Sequence, residues 1–327
     1  MPAAGAFNSR GIHMHRIDGP GATVDGKFTE GNPAAGVPAT VVTAAWMADV
    51  QEELLSVLSA GGVAPIKGVQ DQLLRAIRTM STGVIGTALN LKMSVASASA
   101  SATLTADQVV VGSALAGQVY RLSSFNKSIN LATVGAGGMD TGSAPASGFV
   151  GLYAIYNPVS GASALLAVNA TSSLLPNVYG GASMPAGYTA SALVSVWPTN
   201  ASGQFAVGIQ VDREIGIATN NVLTTSTVQA SLTAFSVAAA IPRNALTFRG
   251  EYTCSSTVAG AGVSGVISGS PLEIGRIAIG MTSPTASGAG TTSFPLVAVL
   301  NAQTIYYRAA VSSGVLNLLV SITGYTF

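Results

Sequence analysis

The sequence predicts a mainly β protein that works as an assembly of several copies, and three observations lead to this prediction. Many short apolar stretches alternate with polar residues and end in turns rich in glycine, serine and asparagine, which is typical of antiparallel sheets. Hydrophobic residues make up 48% of the 327 residues, which is enough to bury a core. Charged residues make up only 8%, against about 25% in an ordinary soluble domain, and so uncharged a surface favours association.

Composition also narrows the classes of partner. The net charge is +1 and the 14 lysines and arginines are scattered, so we expect no nucleic-acid partner. The longest apolar runs fall short of the roughly 18 residues that span a bilayer, so we expect no membrane insertion. Residues 1–11 lack the basic and apolar segments of a secretory signal peptide. Cys254 is the only cysteine, so stability must come from packing and assembly instead of disulfides.

The N-terminal quarter of the chain predicts an extended arm followed by two helices. Residues 1–42 are rich in glycine, proline and alanine and lack apolar periodicity, which favours an extended arm ordered by a partner. Thr43 is a good N-cap for a helix over 44–60, and the following glycines end it. A second helix over about 69–80 makes residues 43–82 a helical hairpin.

The apolar faces of these helices are the candidate packing surface of the hairpin. Their members recur at spacings of three and four residues: Trp46, Val50, Leu54, Leu58, Leu73 and Ile77. Two short helices bury too little apolar area to be stable alone. We therefore expect the hairpin to pack against copies of itself as a trimeric bundle.

Residues 83–105 predict a thin shaft or linker. Serine and alanine alternate over most of 94–102. One interpretation is a flexible low-complexity linker. The other is an extended strand with an alanine face and a serine face, whose small side chains let three chains approach one axis. Composition does not separate the two.

Residues 106–327 predict an antiparallel β-sandwich head, with a division near residue 212 left open. Turn sequences separate two pairs of strands: 149–156 from 162–169, and 188–197 from 204–211. Apolar and polar residues alternate over 246–254 and over 316–323, as in strands with one buried face. We see no regular alternation of strands with helices, which argues against a parallel α/β fold.

Two stretches of sequence resemble phage proteins. The first comprises Phe28-Thr29-Glu30-Gly31-Asn32-Pro33, residues 36–43, Trp46 and Val50-Gln51-Glu52-Glu53-Leu54, with 14–18 and 72–78 on either side. It resembles the N-terminal module of tail-fibre proteins of phages and prophages. The second comprises residues 133–149 and 178–191, and is similar to the distal region of the same kind of fibre.

The resemblance implies a homotrimeric fibre in the virion tail, assembled in the host cytoplasm. Its N-terminus would join baseplate or other tail proteins, and its distal β domain would touch a host surface receptor. Lipopolysaccharide, a pilus and an outer-membrane protein all stay open as the receptor. Two alternatives are a purely structural baseplate or collar component and a surface-polysaccharide depolymerase.

We predict that the chain is not an enzyme. Glycoside cleavage needs two carboxyl groups placed about 5–9.5 Å apart on either side of the scissile bond. The β region has few acids, namely Asp212, Glu214, Glu251 and Glu273. An ion pair with Arg249 on the same strand explains Glu251 without catalysis.

Aromatic residues at strand ends or turns are the candidates for receptor binding. They are Tyr179, Tyr188, Trp197, Tyr306 and Tyr307, and the alternative for each is a place in the core or in an interface between chains. Because successive residues of a strand point to opposite faces, Tyr306 and Tyr307 must place their rings on different sides of the sheet.

We expect no cofactor, with one exception kept as a hypothesis. His13 and His15, the only histidines, share one side of an extended chain. Three copies around an axis would then offer six imidazoles to one octahedral iron, an arrangement that resembles iron sites in phage fibres. The alternative is that His15 simply belongs to the N-terminal module.

Overall fold

The computed structural model describes residues 15–80 and 83–327, which fall into two compact units. We call the unit before Gly83 the N-terminal unit and Gly83–Phe327 the β unit. Strands make up 44% of the chain and helices 9%, and the sheets are antiparallel. The prediction of a mainly β fold is therefore confirmed, whereas the trimer stays a prediction.

The N-terminal unit holds two helices, α1 (Ala44–Ala60) and α2 (Gln72–Met80). The Thr43 side chain accepts a hydrogen bond from the backbone N–H of Trp46, so α1 begins where its predicted cap lies. The second helix starts three residues later than expected. The Gln72 side chain binds both backbone groups of Ile66 and the carbonyl of Val69, which holds that segment as a loop.

The two helices meet at a small contact. Leu58 and Ala76 are the buried helical residues, and a Cβ at Gly61 would lie 2.5 Å from the Cα of Ala76. Among the other predicted packing residues, Leu54, Leu73 and Ile77 are 48%, 38% and 52% exposed in the single chain, whereas Trp46 and Val50 are partly buried. The helices therefore leave most of their apolar face uncovered.

The described part of the predicted extended arm folds back on itself. The backbone N–H of Thr40 donates to the carbonyl of Thr29, and that of Val41 donates to Pro20. A 3-10 turn at Pro33–Ala35 reverses the chain between them. Gly31 permits the close approach, because its φ is +75° and a Cβ there would lie 2.6 Å from the Val37 carbonyl. The expectation of an extended segment was wrong for these residues because glycine turns replace apolar periodicity.

Over its described residues the β unit has sixteen strands. They are β1 (Ala88–Leu89), β2 (Lys92–Val95), β3 (Ser101–Gly112), β4 (Val119–Asn130), β5 (Phe149–Tyr156), β6 (Ser163–Asn169), β7 (Ala190–Pro198), β8 (Gly208–Val211), β9 (Glu214–Thr225), β10 (Gln229–Ser236), β11 (Thr247–Ser256), β12 (Gly262–Ser268), β13 (Ile277–Thr282), β14 (Gly290–Ala298), β15 (Thr304–Val311) and β16 (Leu316–Thr326). The large sheet has the order β14-β11-β16-β9-β8-β2-β3-β7-β5-β6, with β1 and β4 also paired to β3. The small sheet has the order β10-β15-β12-β13.

One core cluster contains residues of both sheets. It includes Trp197 and Phe248 from the large sheet and Ile267 and Tyr307 from the small one. Cys254 lies in this core, where burial raises the pKa of its thiol and keeps it protonated at neutral pH. The finer expectation of a sandwich of two facing sheets stays a prediction.

The predicted shaft over 83–105 is part of the large sheet. Leu91, Met93, Val95 and Leu104 are all buried in its core. These residues alternate with polar ones, as strands with one buried face require, but the serine and alanine run that follows obscured the pattern. Only residues 96–100 form the turn between β2 and β3.

One predicted hairpin is confirmed, and the other forms only an antiparallel bridge between Thr199 and Phe205 beside its turn. Strands β5 and β6 pair around the 157–162 turn, with Val150 opposite Asn169. Strands β7 and β8 do not pair: β7 lies between β3 and β5, and β8 lies between β2 and β9. Asp212 occupies the β8–β9 turn with φ of +51°, so no division of the β unit occurs near it.

Candidate functional site

The small sheet has an outer face that carries charge and an open cavity. In β15 the buried residues Ile305, Tyr307 and Ala309 point to the core, and the intervening Tyr306 and Arg308 lie on the opposite face. A cavity of about 270 Å³ opens on this face. Its lining includes Gln229, Ser264, Arg276 and Arg308.

The strand registers explain why a cavity opens at this point. Val266 of β12 pairs with Arg308 on one side and with Ala278 on the other. The next outward residue of β12, Ser264, pairs with Ala310 and with Gly280. The residues around Arg308 on this face therefore mostly have short side chains or none, and the space above them stays open.

An ion cluster of two arginines and one glutamate borders the cavity. The Glu273 carboxylate accepts hydrogen bonds from Arg308, Nε to Oε1 at 2.7 Å and Nη2 to Oε2 at 3.3 Å. It also accepts from Arg276, Nη1 to Oε2 at 2.7 Å. Glu273 has φ of +56°, an uncommon backbone conformation for a residue with a side chain. Its three charge-assisted hydrogen bonds hold the loop between β12 and β13 in this position.

The charges of this cluster fix its protonation state. Hydrogen bonds from Arg308 and then Arg276 hold the pKa of the Glu273 carboxyl below its ordinary value. The same contact with Glu273 raises the pKa of Arg308. Glu273 is therefore ionised at neutral pH, whereas the general acid of a glycosidase needs a raised pKa. The arrangement suits binding better than proton transfer.

A second ion pair of the β unit differs from the one predicted from the sequence. Arg249 pairs with Glu214, Nε to Oε1 at 2.9 Å, and not with Glu251. The register explains this, because Arg249 lies opposite Gly324 of β16 while Glu214 lies opposite Thr326 of the same strand. Arg249 and Glu251 would share one face of a regular strand, but the pairing of β11 with β16 shifts register between Arg249 and Gly250. The expected Arg249–Glu251 pair was wrong because this irregularity interrupts the alternation on which it depended.

The adjacent tyrosines of β15 point to opposite faces, as predicted. Tyr307 is buried and packs edge-on against Phe235, with ring centroids 5.5 Å apart. Tyr306 is partly exposed beside Arg308, and its hydroxyl accepts a hydrogen bond from Asn301. Sequence reasoning named Tyr306 but missed Arg308 and Arg276. The signal for Arg308 was its position two residues after Tyr306, on the same face.

The remaining aromatic candidates lie elsewhere in the β unit. Trp197 is fully buried, and its indole Nε1 donates to the carbonyl of Ala206, so the core alternative holds for it and the receptor-contact candidate does not. Strand β7 is central and buried on both faces, which turn-like flanking residues did not indicate. Tyr179 is partly buried and donates to Asp140 at 3.0 Å; burial, more than this bond, raises the pKa of its hydroxyl. Tyr188 is partly buried in a turn.

In the N-terminal unit, Trp46 and His15 lie close together. Trp46 packs edge-on against Phe28 at 5.3 Å, and its indole donates to the His15 carbonyl. The His15 ring lies 2.9 Å from Asp49 and 3.4 Å from Asp18. His13 lies outside the described residues, so the iron hypothesis stays a prediction. Within 15–80 and 83–327 no cluster of three or more metal-ligating side chains occurs.

The helices of the described chain give no sign of a membrane span. Neither α1 nor α2 combines the length and the apolar character that crossing a bilayer requires.

Comparison with known proteins finds one partial relative. No family model matches the chain. Over 73 residues it is 47% identical to "Uncharacterized protein StfP" of Escherichia coli (strain K12), a match that covers 20% of this chain. The match covers 35% of the relative, so the chain spans about a third of that protein's length. Among solved structures, the tryptic core of a Bacillus thuringiensis Cry1Da variant aligns over 73% of this chain and 52% of its own, at 11% identity and a TM-score of 0.21.

Proposed function

We propose that this chain is a subunit of a phage tail fibre that attaches the virion to its host. The β unit binds a host surface receptor, and the N-terminal unit joins the fibre to the baseplate or another tail protein. The observation that carries the proposal is the 47% identity over 73 residues to StfP, whose name is of the side-tail-fibre type. The mainly antiparallel fold and the charge-poor composition support it.

The working form in this proposal is a homotrimer in the virion tail. The support is the uncovered apolar face of the helices, where Leu54, Leu73 and Ile77 are all more than a third exposed in the single chain. Contacts repeated over three copies and several fibres would raise the avidity for a weakly bound receptor. The chain has no enzymatic role in this proposal.

Deletion of the coding sequence from the phage or prophage that carries it tests the function. We expect intact particles that lack the fibre in electron micrographs and adsorb to host cells at least tenfold more slowly. Supplying the full-length chain in trans should restore adsorption. Unchanged adsorption would refute the attachment role, and failure to assemble tails would favour the structural baseplate alternative.

The depolymerase alternative has a separate test. The full-length chain is incubated with purified host surface polysaccharide, and newly formed reducing ends are measured. We expect none, because Glu273 is held as a carboxylate by two arginines. Steady release of reducing sugar that depends on the chain would contradict the non-enzymatic proposal.

A further inference from the structure

We propose that the cavity on the outer face of the small sheet binds an anionic sugar residue, whose acid group binds Arg308 and Arg276. This inference rests on the proposed attachment function, because it names the chemistry of the receptor. The ligand is a saccharide that carries a carboxylate or a phosphate.

The cluster carries more positive charge than it neutralises. Two guanidinium groups face one carboxylate, that of Glu273, so one positive charge is left without a counter-ion in the cluster. The two arginines are 48% and 36% exposed, so an incoming ligand reaches them from solvent. The excess positive charge attracts an anion electrostatically.

The arginines keep donors for a ligand after binding Glu273. Arg308 uses Nε and Nη2 and retains Nη1, while Arg276 uses Nη1 and retains Nη2 and Nε. Hydrogen bonds from guanidinium groups to a carboxylate or phosphate are about twice as strong as those between neutral groups. Two neutral groups of the lining add sugar-type contacts: the Ser264 hydroxyl and the Gln229 amide, whose oxygen already accepts from Thr233.

The dimensions of the cavity fit one sugar ring. Its volume of about 270 Å³ lies just below the roughly 300–1,000 Å³ of pockets for drug-sized ligands. Ala278 and Ala310 give an apolar floor beside Ser264, and Tyr306 stands on the same face next to Arg308. A pyranose presents apolar C–H groups and ring hydroxyls, which match a floor of this composition.

The arginines are held in place before a ligand arrives. Glu273 contacts both of them, and its backbone is fixed in the left-handed region at φ of +56°. A rigid donor set loses little conformational entropy on binding, so more of the interaction energy appears as affinity. Glu273 therefore acts as a positioning residue for the arginines and not as the ligand's own partner.

The test measures binding of sugars to the full-length chain by titration calorimetry and ligand-observed NMR. Glucuronate and glucose 6-phosphate are the anionic probes, and methyl glucoside is the neutral one. We expect at least one anionic probe to bind in the millimolar range, to weaken as sodium chloride rises, and methyl glucoside not to bind. Screening by salt weakens contacts between exposed charges.

Matched variants locate the site. Arg308→Gln and Arg276→Gln should each weaken anionic binding at least tenfold. Arg121→Gln removes the same charge from an exposed position of β4 and should leave binding unchanged. Circular dichroism melts check that all three variants are folded, and either single variant suffices if the other unfolds. Binding unchanged in a folded Arg308→Gln or Arg276→Gln chain, or no binding of either anionic probe, overturns the proposal.

The result of the sugar-binding experiment can be interpreted separately from the result of the deletion experiment. If deletion abolishes adsorption but neither anionic sugar binds, the chain attaches virions through another receptor chemistry and this inference alone fails. If an anionic sugar binds through the arginines while deletion leaves adsorption intact, the site stands and the attachment function fails.

Discussion

The two units of this chain reach stability by different means. In the described part of the N-terminal unit the buried hydrophobic residues are Ile17, Leu58 and Ala76. The β unit instead buries a continuous cluster with large aromatic side chains such as Trp197 and Phe248. Burial of apolar area yields about 25 cal/mol per Å², so burial stabilises the β unit far more than it stabilises the described part of the N-terminal unit. The proposed assembly would supply the N-terminal unit with the burial that a single copy lacks.

The largest expected effect is in the core of the β unit. Trp197→Ala removes a fully buried ring and should lower the free energy of unfolding by about 3–5 kcal/mol. Urea denaturation followed by circular dichroism measures the loss. The control is Leu174→Ala, at a side chain that is 69% exposed, where we expect a change within about 0.5 kcal/mol. Equal losses in both variants would mean that the β unit does not depend on this core.

The next effect is on assembly through the N-terminal unit. Ile77→Asp places a charge on the uncovered apolar face and should shift the mass in solution from three copies towards one at micromolar concentration. Sedimentation equilibrium measures the change, which we expect to exceed tenfold in the association constant, equivalent to about 1.4 kcal/mol.

A matched substitution sharpens the assembly test. Leu115→Asp adds the same charge to the β unit at a side chain that is 77% exposed, and the mass should not change. If instead Leu115→Asp dissociates the protein and Ile77→Asp does not, assembly depends on the β unit and the comparison between the units is wrong.

Removing the hydroxyl groups of two buried tyrosines of the β unit should have smaller effects on stability, which can be compared with each other. The Tyr325 hydroxyl donates to the Val196 carbonyl at 2.6 Å, so Tyr325→Phe should cost about 1–2 kcal/mol by leaving that acceptor unpaired. The Tyr252 hydroxyl has no hydrogen-bond partner among the described residues and ends against Gly265. Tyr252→Phe should therefore leave the urea midpoint unchanged or raise it. A larger loss for Tyr252→Phe than for Tyr325→Phe would contradict this assignment.

The same tyrosines predict how stability depends on pH. Burial raises the pKa of both hydroxyls above the unfolded value near 10, so the folded state holds these protons more tightly. Below about pH 10 the two hydroxyls make their full contribution to the free energy of unfolding. This contribution is lost as the pH rises from there towards the pKa values of the folded state. Unfolding at pH 8 and pH 11 should show a smaller decline in Tyr325→Phe than in the parent chain. An equal decline would mean that other groups control the alkaline limit.

The smallest effect concerns a surface ion pair. Glu214→Gln breaks the contact with Arg249, but both side chains are about two-fifths exposed, so we expect a loss of no more than about 1 kcal/mol. Glu251→Gln is the control on an exposed position of β11 and should be neutral. A loss above 2 kcal/mol in thermal unfolding would show that this pair supports the β9–β16 region more strongly than its exposure indicates.

Local signals in the sequence predicted local structure well. The cap at Thr43 and the following glycines gave the limits of α1, and the alternation around Tyr252 and Leu318 identified β11 and β16. Strand partners were harder, because sequence proximity predicted that β7 pairs with β8 while the fold inserts β8 between β2 and β9. Pairing between distant strands depends on tertiary packing, which no single segment encodes.

The candidate site was only partly predictable for the same reason. Tyr306 could be assigned to one face of a strand from its neighbour Tyr307, and Arg308 then follows by alternation. Glu273 and Arg276 come from a loop 30 or more positions earlier, and only the pairing of β12 with both β13 and β15 brings them to Arg308. No spacing of residues along the sequence predicts that these two side chains contact or lie near Arg308.

The position of β16 has a consequence for biosynthesis. This strand, Leu316–Thr326, lies between β11 and β9 and pairs with both along most of its length. The large sheet therefore cannot be completed until residues 316–326 have left the ribosome, although all its other strands are made earlier. A nascent or truncated chain would expose two unpaired strand edges that invite aggregation or proteolysis. Synthesis of β16 therefore decides when the facing edges of β9 and β11 become paired.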